Sequence, residues 1–414
     1  MRARPALAAA LALSLVCSFA AAHADTAAPW TGDPVIDKTV SLVDKNFWNP
    51  AALPAFHDAV RAVAADEPDR ALSTDTATAE SRILASLGAS HTGRLTPDQL
   101  DYYELAGVFR YALHDSIRTL FPPDGKVTYD GIGIASKDID GKRFITDVYD
   151  GSPADRAGLH AGDEIVSADG QPFAEIGSFK GKAGQSVDLK VRRQAAADPV
   201  DVSVRVASID PQQEFVDAIR NSIHVVSSGV HSIGVIHLWS YTTGSITDVV
   251  NEALATRLKD VDGIVLDLRG RWGGVQADAV QSFVGGTVDM VAVDRDGDRH
   301  YVSSAFHKPV VAIVDEGTRS SMEILAYTLK KDGITLVGAP SAGDVLAATA
   351  YALPDGSLLE LAVQNVLIDG QELEGHPVTP DVSVPFDVRY ANGADPQMDA
   401  ALATLGDKLK PTTD

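Results

Sequence analysis

Apolar positions along this chain change their period twice. From about residue 25 to Leu120 they recur at helical spacing, with Val60 and Val63, then Ile83, Leu84 and Leu87, set between polar breaks. This predicts a helical amino-terminal region over 25–126. Gly88 ends one of its helices and leaves Ala89, Ser90, His91 and Thr92 in a loop. Over 127–209 the period shortens. Strand-like runs at 143–148 and 187–191 alternate with glycine turns, and a short helix is expected near Pro153. From Pro211 onward strands and helices alternate. Strands are expected at 233–239, 263–268, 310–314 and 334–337. Helices are expected at 246–258, with Val249, Val250, Ala253, Leu254 and Leu258 on one face, and at 398–409. Short apolar strands alternating with amphipathic helices predict a largely parallel sheet covered by helices. The expected class is a multi-domain α/β protein, with a helical region, a β-rich module at 127–209 and an α/β core at 210–414.

The first residues read as an address rather than as structure. Arg2 and Arg4 precede an apolar run over 6–22, and Ala22, His23 and Ala24 supply a cleavage site for a signal peptide at 1–24. The run is short and alanine-rich for a membrane anchor, and Val16 fits poorly before a lipid-bearing Cys17. Cys17 is the only cysteine, so cleavage leaves no disulfide, cysteine nucleophile or thiolate metal site. No later run reaches the roughly 18 apolar residues of a membrane span. The 57 acidic against 35 basic residues give a formal net charge of −22, which disfavours nucleic acid and anionic lipid as partners. The expectation is an exported protein, periplasmic in a Gram-negative cell, without stable membrane insertion. The sequence leaves oligomeric state open.

Three stretches could carry chemistry. Gly131, Ile132, Gly133 and Ile134 open the β-rich module. Their backbone N–H groups could form a nest for a peptide carboxylate, or the four residues could be a tight hairpin turn. In the core, Gly273 and Gly274 follow Asp267, Leu268 and Arg269 directly after a strand. Glycines there let N–H groups face an oxyanion or a phosphate; Val275-Gln276 is not the Gly-Lys-Ser/Thr of a phosphate loop, and a plain turn is the alternative. Ser320 stands at a strand–turn–helix junction after Gly317, near the positive end of a helix. With Glu323 it also has the Ser-x-x-Glu spacing of a capping box.

The segment GSPADRAGLHAGDEI from Gly151, together with Gly131–Ile134, resembles a bacterial protease PDZ domain. With the stretches at 267–274 and 317–324, the run at 337–343, and Leu373-Glu374-Gly375 before Pro380-Asp381, the chain resembles the carboxy-terminal processing and tricorn-like serine peptidases. The likeness covers most of the chain beyond Leu84. It implies a crotonase-like core, polypeptide substrates, no cofactor and no metal. It implies Ser320 as nucleophile, an oxyanion hole from the Gly273–Gly274 turn and Ser321, and peptide docking at Gly131–Ile134.

The base departs from one branch of that family. A lysine is expected after the 338–343 stretch, and Asp344 stands there instead. Lys330 and Lys331 lie about 15 Å down the nucleophile helix at 1.5 Å per residue. The tricorn-like branch uses a histidine ahead of the PDZ domain, and Ser90, His91 and Thr92 occupy that place. It also uses a late glutamate, matched best by Glu374, with Glu372 as competitor, acting through a hydroxyl such as Ser90. Neutral imidazole accepts a serine proton near its pKa of about 6.5. The alternatives are a solvated surface histidine, a peptide-binding protein without turnover, and an esterase-type acyl hydrolase.

Overall fold

The computed structural model describes residues 30–66, 74–270, 273–274, 281–284, 290–302 and 306–410. The signal peptide expected at 1–24, with Cys17, lies outside the described residues.

Gly263–Asp267 and Val310–Val314 are buried at every position, as unbroken apolar runs demand at the centre of a parallel sheet. They form the middle of a six-stranded sheet in the spatial order Val382–Ser383, Thr335–Gly338, Val310–Val314, Gly263–Asp267, His231–His237, His224–Ser228. All neighbours run parallel except the last pair, an antiparallel hairpin. Side chains alternate between two layers. Val265, Val311 and Ile313 meet Ala401 and Leu405 of the helix Pro396–Lys408. Ile264, Leu266 and Ala312 face the other way, into the cluster that holds Val250 and Ala253 of Gly244–Ala255 and Leu325 and Leu329 of Ser321–Lys331.

The amino-terminal helices do not stand alone. Pro34–Asn46, Leu53–Asp66 and Thr74–Ala85 bury Val40, Val43, Phe56, Val60 and Ile83 against Leu359 and Leu361. Those two leucines belong to Leu358–Gln364, the central strand of a three-stranded antiparallel sheet with Gly93–Leu95 and Ala347–Ala352. Glu80 is buried, accepts a hydrogen bond of 2.5 Å from Thr39 Oγ1, and lies 3.0 Å from Arg94 Nε. Arg94 also pairs with Asp355. This network fastens the short strand 93–95 to the helices on one side and to the 353–358 turn on the other. The loop carrying His91 is held between those anchors.

The β-rich module has its own core of Ile132, Ile145, Leu159, Val187, Leu189 and Val204. Its five strands lie in the order Ile134–Ile139, Lys142–Val148, Glu164–Ala168, Ser186–Arg192, Val200–Arg205. The short helix Pro153–Arg156 starts where expected, with Ser152 Oγ accepting from the Asp155 amide. A two-stranded ladder of Tyr129–Gly131 with Ala207–Ile209 joins the module to the core.

Candidate active site

The strands 263–267, 310–314 and 335–338 are parallel, so the turns that follow them gather at one edge of the sheet. After Val314 the chain folds into a knot of local hydrogen bonds. Asp315 Oδ1 accepts from the Gly317 amide at 2.8 Å. The buried Thr318 donates its hydroxyl to Leu268 O at 2.9 Å. The Ser320 amide donates to Asp344 O at 2.8 Å. These bonds over-determine the turn and hold Ser320 at φ 56° and ψ −134°, a conformation that favours glycine.

The capping-box alternative fails. Ser320 Oγ makes no cap hydrogen bond, and Glu323 does not reach back to it. Glu323 is buried and accepts from Ser341 Oγ (2.5 Å) and from the amides of Gly343 and Asp344 (both 2.7 Å). Its carboxylate therefore ties the 341–344 loop to the helix Ser321–Lys331. Among the described residues Ser320 Oγ has no hydrogen-bond partner at the helix start.

Gly273 explains itself by close approach. A Cβ there would sit 2.3 Å from Ser320 Cβ, 2.5 Å from its Oγ and 2.8 Å from the Ser321 amide nitrogen. The Gly273 backbone, Ser320 Oγ and the Ser321 N–H thus border one small space, where a carbonyl oxygen could meet backbone donors. Gly274 has φ 77°, and a Cβ on it would strike Thr242 Cγ2. Gly273→Ala should lower kcat/KM on a polypeptide substrate about a hundredfold, by filling that space. A loss below threefold would show that the space plays no part in the reaction.

The Asp267-Leu268-Arg269 stretch is structural. Arg269 forks onto Asp267 (Nη2–Oδ2 2.6 Å) and onto Asp395 at the start of the last helix (2.7 Å). Burial opposes charge on Asp267, yet Arg269 outweighs it and holds the carboxyl below its ordinary range.

Ser90, His91, Val345 and Glu374 form a second cluster, joined to the Ser320 turn through Asp344. Ser90 Oγ donates to Glu374 Oε2 at 2.9 Å, and the Ser90 amide donates to Oε1 at 3.1 Å. The Val345 amide also donates to Glu374 Oε2, at 2.8 Å. Ser90 Oγ lies 2.9 Å from His91 Nδ1. A serine hydroxyl has one proton, and here the carboxylate receives it. Ser90 Oγ must then accept from Nδ1–H, which leaves the lone pair on His91 Nε2. His91 is nearly buried and has φ 50°. Burial, then the Arg319 charge, lower its pKa to about 4, while Glu374 opposes them. No hydrogen bond joins His91 directly to Ser320 among the described residues. They are linked through Glu374, which holds Val345, the residue after the Asp344 carbonyl that fixes Ser320. Contacts of this kind often tighten only around substrate.

Glu372 is exposed and accepts from Asn365 at 2.8 Å, away from Ser90, so the geometry favours Glu374. Lys330 is engaged by Thr379 O and Asp381, and Lys331 by Asp369. Asp344 faces Arg319, Nη2 to Oδ2 3.9 Å. Sequence reasoning offered Glu323 only as a capping partner and gave Arg319 no role. It also missed Glu360, buried opposite Gly93, whose carboxyl burial pushes up to about 7.

In the β-rich module, Gly133 has φ 78°, and a Cβ there would strike Ser152 Cβ at 2.3 Å. Gly131 ends a strand and abuts the Tyr129 ring, while Ile132 and Ile134 point into the module core. Strand Ile134–Ile139, which follows directly, is the edge of its sheet. Among the described residues no three His, Cys, Asp or Glu side chains gather as metal ligands, and no helix is long and apolar enough to cross a membrane.

Comparison with known families now bears on this arrangement. The model for peptidase family S41 matches residues 232–384, and that for a PDZ domain matches 144–193. Residues 232–384 of the core thus resemble a peptidase family S41 domain. Both the Ser320 turn and Glu374 fall inside the S41 match, whereas Ser90 and His91 precede it. Carboxy-terminal processing protease CtpB of Bacillus subtilis is 29% identical over 273 residues, 62% of this chain and 55% of its own. Carboxyl-terminal-processing peptidase 3, chloroplastic, of Arabidopsis thaliana is 27% identical over 320 residues, 72% and 58% of the two chains. The chain thus spans a little over half the length of these relatives. Among solved structures, a photosystem II D1 C-terminal processing protease aligns with TM-score 0.51 at 19% identity, covering 90% of this chain and 96% of that one. The tricorn protease aligns at 0.52 and 18%, covering 90% and 36%. These two likenesses establish a shared multi-domain α/β fold.

Proposed function

We propose that this chain is an exported, cofactor-free serine endopeptidase that docks polypeptides on its PDZ domain and cleaves them at Ser320. One observation carries the reading: a serine held at positive φ against Gly273 is tied, through Asp344, Val345 and Glu374, to a histidine whose Nδ1 is fixed by Ser90. Ser320 Oγ attacks the scissile carbonyl carbon as His91 Nε2 takes its proton. The carbonyl oxygen, now negative, is received by N–H groups of the Gly273–Gly274 turn and Ser321. His91 then gives the proton to the leaving amine, and water repeats the cycle on the acyl-enzyme. Glu374 acts through Ser90 to keep Nδ1–H in place and to stabilise the imidazolium.

The edge strand Ile134–Ile139 supports docking, because an unpaired edge can accept an extended peptide as a further strand, with its carboxylate at Gly131–Ile134. The basic, then apolar, then small-residue start of the sequence supports export.

A fluorophosphonate probe should label the protein at Ser320, located by peptide mapping, and the labelled protein should lose hydrolysis of an unfolded polypeptide. Asp344 at the lysine place favours a second reading, a peptide-binding protein without turnover. Absence of label would support that reading against ours. Labelling with turnover of short esters alone would make the chain an esterase.

A further inference from the structure

The oxyanion turn has a second wall. Gly273 abuts Ser320, but Gly274 lines a cavity of about 330 Å³ together with Tyr241, Thr242, Gln212, Arg110 and Tyr111. Most of its polar lining is already occupied or neutral. Gln212 donates its amide to Gly107 O at 2.7 Å, and Tyr241 is fully buried. Arg110 differs. It is exposed and makes no ion pair with any described residue, and its guanidinium carbon lies 5.8 Å from the centre of the Tyr111 ring. Tyr111 is itself 85% exposed, the second most exposed large apolar side chain among the described residues. In a chain of net charge −22, Arg94, Arg143, Arg269 and Arg389 pair with carboxylates, whereas Arg156 and Arg257 are taken up by backbone carbonyls. Arg110 thus brings an exposed guanidinium, without a carboxylate partner among the described residues, to the wall of a cavity that also contains Gly274.

We propose that this cavity is a substrate subsite for a carboxylate, bound by Arg110 and covered by Tyr111. The inference rests on the endopeptidase reading above. A polypeptide whose scissile carbonyl lies between Gly273 and Ser321 must run past one end of the turn. At about 3.3 Å per extended residue, a side chain one or two positions from the cleaved bond reaches the Gly274 side. Guanidinium matches carboxylate geometry with two parallel hydrogen bonds. The acidic surface elsewhere repels such a substrate, so one arginine beside the scissile bond selects where an acidic chain can settle. The carboxylate has two sources: an Asp or Glu side chain, or the free end of the substrate.

Binding to full-length Ser320→Ala protein separates this proposal from the question of turnover. One set of hexapeptides carries a single Glu at each position with an amidated end, and a matched set carries Gln or Lys. A further peptide has Gln throughout and a free carboxylate. With Arg110 intact, Glu at one position should bind about five- to tenfold tighter than Gln. Arg110→Glu should erase that gain and favour Lys at the same position, and Arg110→Lys should keep part of it. Lys38→Glu, on the first helix, makes the same change in net charge and should alter nothing. If only the free-carboxylate peptide depends on Arg110, the bound group is the chain end, and the carboxylate subsite stands. Identical Glu, Gln and Lys affinities before and after Arg110→Glu would overturn it. Wild-type protein that binds these peptides with Arg110 dependence, yet cleaves nothing, would overturn the endopeptidase reading alone.

Discussion

Ser320→Gly should abolish hydrolysis and at the same time raise stability by about 1 kcal/mol. Ser320→Ala should abolish hydrolysis equally and leave stability nearly unchanged. The difference follows from the backbone. Ser320 is held at φ 56° by the Asp344 carbonyl and the Thr318 anchor, and a non-glycine residue there carries about 1–3 kcal/mol of strain. Glycine adopts that conformation freely, but it costs roughly 0.4–1 kcal/mol of extra chain entropy in the unfolded state, so only part of the strain is recovered. Alanine keeps the strain. It also loses no cap, because Ser320 Oγ makes no cap hydrogen bond. Were Ser320 a helix cap, alanine would cost about 1 kcal/mol and glycine only a few tenths. Thermal unfolding of the three proteins measures the sign, and cleavage of an unfolded polypeptide measures the loss. Hydrolysis by Ser320→Ala at the wild-type rate would remove Ser320 from the reaction.

What the sequence could reveal depended on how local each signal was. The strands 310–314 and 263–267 and the helix near 396–408 announce themselves through apolar runs or helical spacing, and they appear within one or two residues of the expected bounds. Gly93–Leu95 escaped because three residues are too few for a period. Its partner, Leu358–Gln364, lies more than 260 residues away. The same separation hid the sheet that welds the amino-terminal helices to the core, so that region read as a purely helical unit. Glu323 was misleading for a different reason. Its spacing from Ser320 fits a capping box, but burial turns the carboxylate toward Ser341 and the Gly343 and Asp344 amides. Ser90, His91 and Glu374 were legible only as a resemblance. Nothing local says that a hydroxyl at 90 will meet a carboxylate at 374. The expected pH response of His91 was also out of reach, since burial depends on chain brought in from elsewhere.

That burial alters the most demanding prediction. A solvated histidine base would make activity rise with pH through about 6.5. His91 is instead held down to about 4, by burial first and by Arg319 second, against the pull of Glu374. In the proposed mechanism His91 works only as neutral imidazole. Activity should therefore be flat through neutrality and fall as pH drops through about 4, because only there does the folded enzyme take up the proton. kcat/KM across pH measures this limb for the free enzyme. Arg319→Gln removes a nearby positive charge, so imidazolium becomes less unfavourable and the limb should move toward 6.5. Glu374→Gln removes the opposing charge and should move it lower still. It should also slow turnover, through the loosened Ser90 hydroxyl. His91→Ala should lower kcat by between about 10⁴- and 10⁶-fold with the fold intact. Glu374→Gln should cost less, since orienting a base matters less than possessing one. Lys330→Ala and Lys331→Ala should leave both rate and profile unchanged, because Thr379, Asp381 and Asp369 hold those ammonium groups elsewhere. Full turnover in His91→Ala would end the histidine mechanism. A limb that stays in place in Arg319→Gln would show that burial alone sets the His91 pKa.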